Sequence, residues 1–272
     1  VSSSVAWGEL RIERNARIAG TNGFVDFSRI RDNSQGSSCN SQACQLSGNL
    51  AKRPYLPSFD ASSSSFDITF PRNSRVTLPA SDYDDVRLER DSILTFDSEN
   101  QTYRFDTLRI RRNSTLNLSS GTYYIRDLTI ERDVNIVVES GNTVVMYVNR
   151  LNLQRNARLN GGGTPGQLLV VAYDRITLAQ DTLVNGFLHA TSSIRMNRNM
   201  RLTGAANARS IRIDRDAFVN FDASTIGNLH DDSICNDAPD ETGSHVAFYE
   251  FDDDNWNAES DVIDSLDNYN GS

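Results

Sequence analysis

The sequence predicts an all-β fold: a right-handed parallel β-helix of about nine or ten coils, each 17–25 residues long. Three observations predict it. One motif recurs along the first 220 or so residues, its apolar positions alternate with period two, and turn-forming residues stand at a fixed place in each copy. The motif is apolar, any residue, apolar, any residue, Arg, then Asn or Asp, with a second apolar pair three residues later. Copies begin at Leu10, Ile68, Val86, Leu108, Leu128, Leu151, Ile176, Ile194 and Ile211.

Period-two alternation puts successive side chains on opposite faces, so each apolar pair marks a short strand with one buried face. The Asn or Asp between two pairs tolerates positive φ and marks a sharp turn. Further apolar runs follow Gly121, Gly141 and Gly166. They supply another strand per coil, so the unit is one rung of a solenoid rather than a hairpin. The leucine-rich repeat has a similar period, but its helical segment and LxxLxL spacing are absent. Right-handedness follows from the general rule for parallel crossovers.

Equivalent residues of successive coils should stack at the strand spacing of about 4.8 Å. From Asp91 onward the turn position reads Asp91, Asn113, Asp133, Asn156, Asp181, Asn199, Asp216, a strict alternation of charged and neutral residues. Two carboxylates so close would repel by up to a few kcal/mol at an effective dielectric near 20. An intervening Asn removes that contact and offers an amide to its neighbours. The residue before this ladder is Arg in every copy but one, where Gln180 replaces it. Stacked guanidinium groups need compensation, and Arg111, between Glu89 and Glu131 in coil order, stands where a salt-bridge ladder requires it. Arg90, Arg112, Arg132 and Arg155 form a face that could hold an anionic polymer. A solvated, mutually paired face is the plainer reading, because charge runs most often serve solubility.

The chain begins at Val1 and reads as a processed product or an excised piece. The interval from Leu10 to Ile68 has room for two coils and an insertion, placed at residues 34–48. That Ser/Gly-rich loop holds Cys39 and Cys44, which could close a small disulfide; Cys235 is left over. Charge divides sharply: the chain carries +6 up to Arg215 and −15 from Asp216 to its last residue. The repeat domain is expected over residues 1–225, an acidic linker over 226–244 and the start of another domain over 245–272. No run of eighteen apolar residues exists, so no transmembrane helix is expected.

Catalytic chemistry finds little support in the residues. Acids mostly occupy ladder positions, Lys52 is the sole lysine, and no phosphate loop, zinc spacing or nucleophile elbow occurs. Asp84–Asp85 reads as a turn and His189 as a hydrogen-bonded structural histidine. Tyr123, Tyr124 and Tyr147 fall in apolar runs and read as core, which makes nucleic acid a poor partner. No catalytic residue, cofactor or metal is expected.

The LRIxRN/D coils with SGTYYI-type connections, followed by FYEFDDDNWNAESDVIDSLDNYNGS, resemble the MshQ-type proteins of the mannose-sensitive haemagglutinin pilus system. Phe251, Asp252, Trp256, Asp264, Ser265, Asn268, Asn270 and Gly271 match the opening of the laminin-G/concanavalin-A-like domain found there; Tyr269 departs from its usual small or polar residue. The resemblance implies a bacterial cell-surface or secreted, pilus-associated protein. The expected function is a non-enzymatic rigid stalk displaying the lectin-like domain, with pilus components or glycans as partners and no membrane insertion. A β-helix that binds or cleaves polysaccharide through its Arg face is one alternative, and a self-assembling filament another.

Overall fold

The computed structural model describes residues 9–20, 29–33, 56, 58–59, 66–96 and 101–221. The chain divides into two units, Val1–Asp237 and Ala238–Ser272, and every described residue lies in the first. The loop with Cys39 and Cys44, Cys235, the linker and the lectin-like start lie outside the described residues.

Eighteen strands and one short 3-10 turn, Pro165–Gln167, make up the described elements. In chain order they begin with β1 (Glu9–Ile12), β2 (Arg17–Gly20), β3 (Arg29–Asp32), β4 (Ile68–Phe70) and β5 (Arg75–Leu78). β6 (Asp82–Leu88), β7 (Ile93–Phe96), β8 (Gln101–Ile110), β9 (Thr115–Leu118), β10 (Gly121–Ile130) and β11 (Asn135–Val138) follow. Then come β12 (Val144–Leu153), β13 (Arg158–Leu159), β14 (Leu168–Ala172), β15 (Arg175–Leu178), β16 (Leu183–Met196), β17 (Arg201–Ile213) and β18 (Phe218–Phe221). Every registered pairing among them is parallel. The protein is a parallel β-solenoid of about seven full turns. That is fewer than the nine or ten coils expected, because motif copies at the two ends supply only part of a turn.

Register confirms the repeat. Val86, Leu108, Leu128, Leu151, Ile176, Ile194 and Ile211 stand in one column through successive pairings. Their side chains are buried in a single core that runs the length of the stack. Tyr103 and Tyr123 stack with centroids 4.8 Å apart and planes 2° from parallel, the distance at which parallel strands place identical side chains. Phe96 packs against both rings. The Tyr123 hydroxyl donates to the Ser119 carbonyl at 2.9 Å, and burial pushes its pKa far up.

The order of the coils departs from the order of the chain. Taken in sequence, the Leu10 copy would lie ahead of Ile68. Instead β1 pairs with β17, with Leu10 opposite Ile211 and Ile12 opposite Ile213. β2 pairs with β18, and β3 pairs with β1 as the outermost strand. The N-terminal strands thus continue the solenoid beyond its C-terminal coil.

A second apolar cluster lies outside the main core. Leu56 and Phe59 pack against an outer cluster of Tyr147, Leu169 and Val171. Phe59 meets Tyr173 edge-on at 5.2 Å and Tyr124 at 6.3 Å, and Tyr124 stacks on Tyr147 at 4.9 Å. Tyr123 and Tyr147 are buried, as expected of core residues, but in different clusters: Tyr123 lies in the main core, whereas Tyr147 lies in the outer one, with the half-buried Tyr124 packed against it beside Leu56 and Phe59. With both faces covered, Val144–Val148 and Leu168–Ala172 read as continuous apolar runs rather than alternating ones. Asp84–Asp85 is likewise not a turn; it lies within β6, where the Asp85 amide donates to the Asp67 carboxylate at 3.1 Å.

Candidate functional site

The motif turn generates the most regular chemistry of the molecule. In each copy the Asn or Asp adopts the left-handed conformation, with φ between 57° and 62° from Asn15 to Asp216 across all nine turns. In seven of the nine turns its amide donates to the carbonyl of the Arg (or Gln180) in the neighbouring coil, as from Asp91 to Arg112 and from Asp216 to Arg14. Small residues just after the turn seal the corner: Ser92 and Ser114 are buried, and the Ser114 hydroxyl donates to the Glu89 carbonyl at 3.1 Å.

The side chains form the ladder the alternation predicts, in a stricter pattern. Each Asn donates to one Asp: Asn113 to Asp91 at 3.1 Å, Asn156 to Asp133 at 2.9 Å, Asn199 to Asp181 at 3.0 Å and Asn15 to Asp216 at 3.0 Å. The hydrogen bond from Asn113 holds the Asp91 carboxyl below its usual range; partial desolvation opposes this and Arg72 reinforces it. The other Asp oxygen faces the Arg one coil earlier: Arg72 lies 2.9 Å from Asp91, Arg155 3.4 Å from Asp181 and Arg198 3.9 Å from Asp216. With Asn15 placed after Asp216, and Asn73 bonded by its amide to Arg90, the alternation spans all nine motif turns without exception.

One residue before the Arg ladder, Arg111 donates to Glu131 at 2.6 Å and lies 4.0 Å from Glu89, the interleaving read from the sequence. Burial raises the Glu131 carboxyl, but hydrogen bonds from the Arg111 side chain and the Arg112 amide outweigh it and hold the group low. The same pair raises Arg111.

These residues border an open groove of about 560 Å³, lined by Glu89, Arg90, Arg111, Arg112, Glu131, Arg132 and Gln154. Of the predicted anionic-ligand face, Arg90, Arg112 and Arg132 meet there, and Arg155 does not. Arg155 is engaged with Asp181 instead. Gln154 was not singled out from sequence, although it stands where Glu131 and Arg111 stand in neighbouring coils. His189 is buried in β16 between Val171 and Asn207. Among the described residues no group of three His, Cys, Asp or Glu side chains could hold a metal ion, and no helix is long and apolar enough to cross a membrane.

Fold and site together define a parallel β-solenoid with a hydrogen-bonded Asn/Asp turn ladder and a basic groove beside it. Residues 73–228, more than half the chain, match the family described as a domain of unknown function, DUF7305, and the chain belongs to that family. The match covers the motif turns from Asn73 to Asp216. No curated protein and no solved structure matches the chain.

Proposed function

We propose that the chain is a non-enzymatic structural module of a bacterial cell-surface or secreted adhesive protein: a rigid rod that presents the segment following it. The observation that carries this reading is the uninterrupted core and ladder. Each coil is bonded to the next at its turn, so stiffness extends along the stack while each coil touches only its neighbours. The resemblance of the coils and of residues 245–272 to MshQ-type proteins supports a lectin-like neighbour, with glycans or pilus components as partners.

The strand order refines the reading. Glu9 and Phe221 both lie in the last coils of the same end, where β18 pairs with β2 and β17 with β1.

The test replaces residues 9–221 of the intact surface protein with a flexible Gly/Ser segment. Cell attachment to a glycan-coated surface should be lost while the purified protein still binds that glycan in solution. Retained attachment would overturn the rod, and so would release of shortened polysaccharide by the unaltered protein.

A further inference from the structure

The arginines of the turn face follow a rule with one break. In the Asn-bearing coils the Arg reaches the Asp of the following coil: Arg72 to Asp91, Arg155 to Asp181, Arg198 to Asp216. By that rule Arg112 would reach Asp133. It does not; Arg132 lies 3.9 Å from Asp133 instead, and the Arg112 amide is turned toward Glu131 at 3.2 Å. Arg90 also has no carboxylate within 4 Å among the described residues.

Burial makes this more than a surface accident. Seven described arginines are half-buried: Arg11, Arg87, Arg90, Arg104, Arg111, Arg112 and Arg212. Arg11, Arg104, Arg111 and Arg212 each have a carboxylate partner. Arg87, Arg90 and Arg112 have no carboxylate within 4 Å among the described residues, and all three lie in two adjacent coils. Asp91 acts on Arg90 and Glu131 on Arg112 only through space, not by a direct ion pair; partly desolvated guanidinium groups held this way are suited to a forked contact with an added oxyanion. Arg90 and Arg112 stand in neighbouring rungs, since the Asp91 amide bonds the Arg112 carbonyl, and both line the groove.

We propose that this groove is a binding site for an acidic polysaccharide, with a sugar carboxylate held between Arg90 and Arg112. Glu89 and Glu131 set the charge density it accepts. They interrupt the cationic row on either side of Arg111, so a nucleic acid, with a charge every 1.7 Å or so of duplex, would meet both carboxylates. A glycan bearing one carboxylate per sugar can place its acid on the arginines and its hydroxyls toward Glu89, Glu131 and Gln154. No aromatic side chain lines the groove to stack bases. This site is separate from the rod reading and stands or falls without it.

The test is calorimetry of the whole chain with oligogalacturonate, using neutral dextran, inorganic phosphate and single-stranded DNA as comparisons. Oligogalacturonate should bind and weaken with salt, and dextran should not bind. Arg90→Gln with Arg112→Gln should reduce affinity about tenfold or more, with unchanged circular dichroism. Arg155→Gln with Arg198→Gln removes the same charge from the same ladder outside the groove and should change affinity less than about twofold. Equal losses in the two double variants would reduce the effect to diffuse charge and overturn the site. Absence of oligogalacturonate binding, or DNA or free phosphate binding as tightly, would overturn it too.

Discussion

The corners of each coil obey different rules. From the first apolar residue of the motif to the first residue of the next strand is seven positions in all nine copies: Val86 to Ile93, Leu108 to Thr115, Ile211 to Phe218, Leu10 to Arg17. Every change in coil length, from 17 to 25 residues, falls elsewhere. Glu139–Thr143 makes an exposed turn, Asn160–Gln167 makes a longer excursion, and β16 and β17 run through with no loop at all. The motif corner must keep a left-handed residue, an amide donor and a side-chain partner in line with those above and below. The other corners need only return the chain to register. One invariant corner is enough to index the whole stack.

Inserting one residue in each kind of corner tests this most severely. An alanine added after Asn156 shifts the following strand by one position, turns Leu159 outward and breaks the Asp133–Asn156 bond. Urea unfolding should show a loss of more than about 3 kcal/mol or an uncooperative transition. A glycine added after Gly141, where added atoms meet nothing within 4 Å, should cost less than about 1 kcal/mol. Equal costs would remove the distinction.

The shortest coils sharpen it. Where β17 turns without a loop, Gly204 has φ of 128°, and a Cβ there would lie 2.2 Å from the Gly186 carbonyl oxygen. Gly204→Ala should therefore cost about 2–3 kcal/mol in the same assay, between the two insertions. A neutral effect would mean that this corner is as tolerant as the Gly141 turn.

The smallest effect is electrostatic and depends on pH. Because Asp91 is held below its ordinary pKa by Asn113, that interaction stabilises the fold above the usual carboxylate range and is lost as pH falls through the lowered value. Asn113→Asp replaces the donor with a third consecutive carboxylate. Its melting temperature should fall below that of the parent at pH 7, and the gap should close below about pH 3 as the acids protonate. A gap that persists in acid would trace the cost to packing rather than charge.

The parts legible in the sequence are those that one coil specifies for itself. Alternation fixed which side chains face the core, and Asn or Asp after Arg marked the left-handed turn, because these are local consequences of backbone geometry. The Arg111 bridge was legible because adjacent copies do stack. The position of the Leu10 coil was not, since LRIERNARI would fit against any other coil. Its one trace was Asn15: beside Asn73 it breaks the alternation, and beside Asp216 it extends it. Nor could the motif show that Arg112 leaves its carboxylate, which depends on how neighbouring side chains share Asp133 and Glu131. That Tyr124 and Tyr147 join a second, outer cluster was not legible, because an apolar run does not say what covers its second face; here Leu56 and Phe59 do.

The closure of the last coil by the first strands has a consequence in time. Asn15 and Asp216 are bonded across 201 residues of chain. At synthesis rates of about 5–20 residues per second, strands β1 to β3 wait some 10–40 s before their partner edge exists. Coils from Val86 onward can stack as they emerge, each on the one before. Strands β1 to β3, made before those coils, are placed after them.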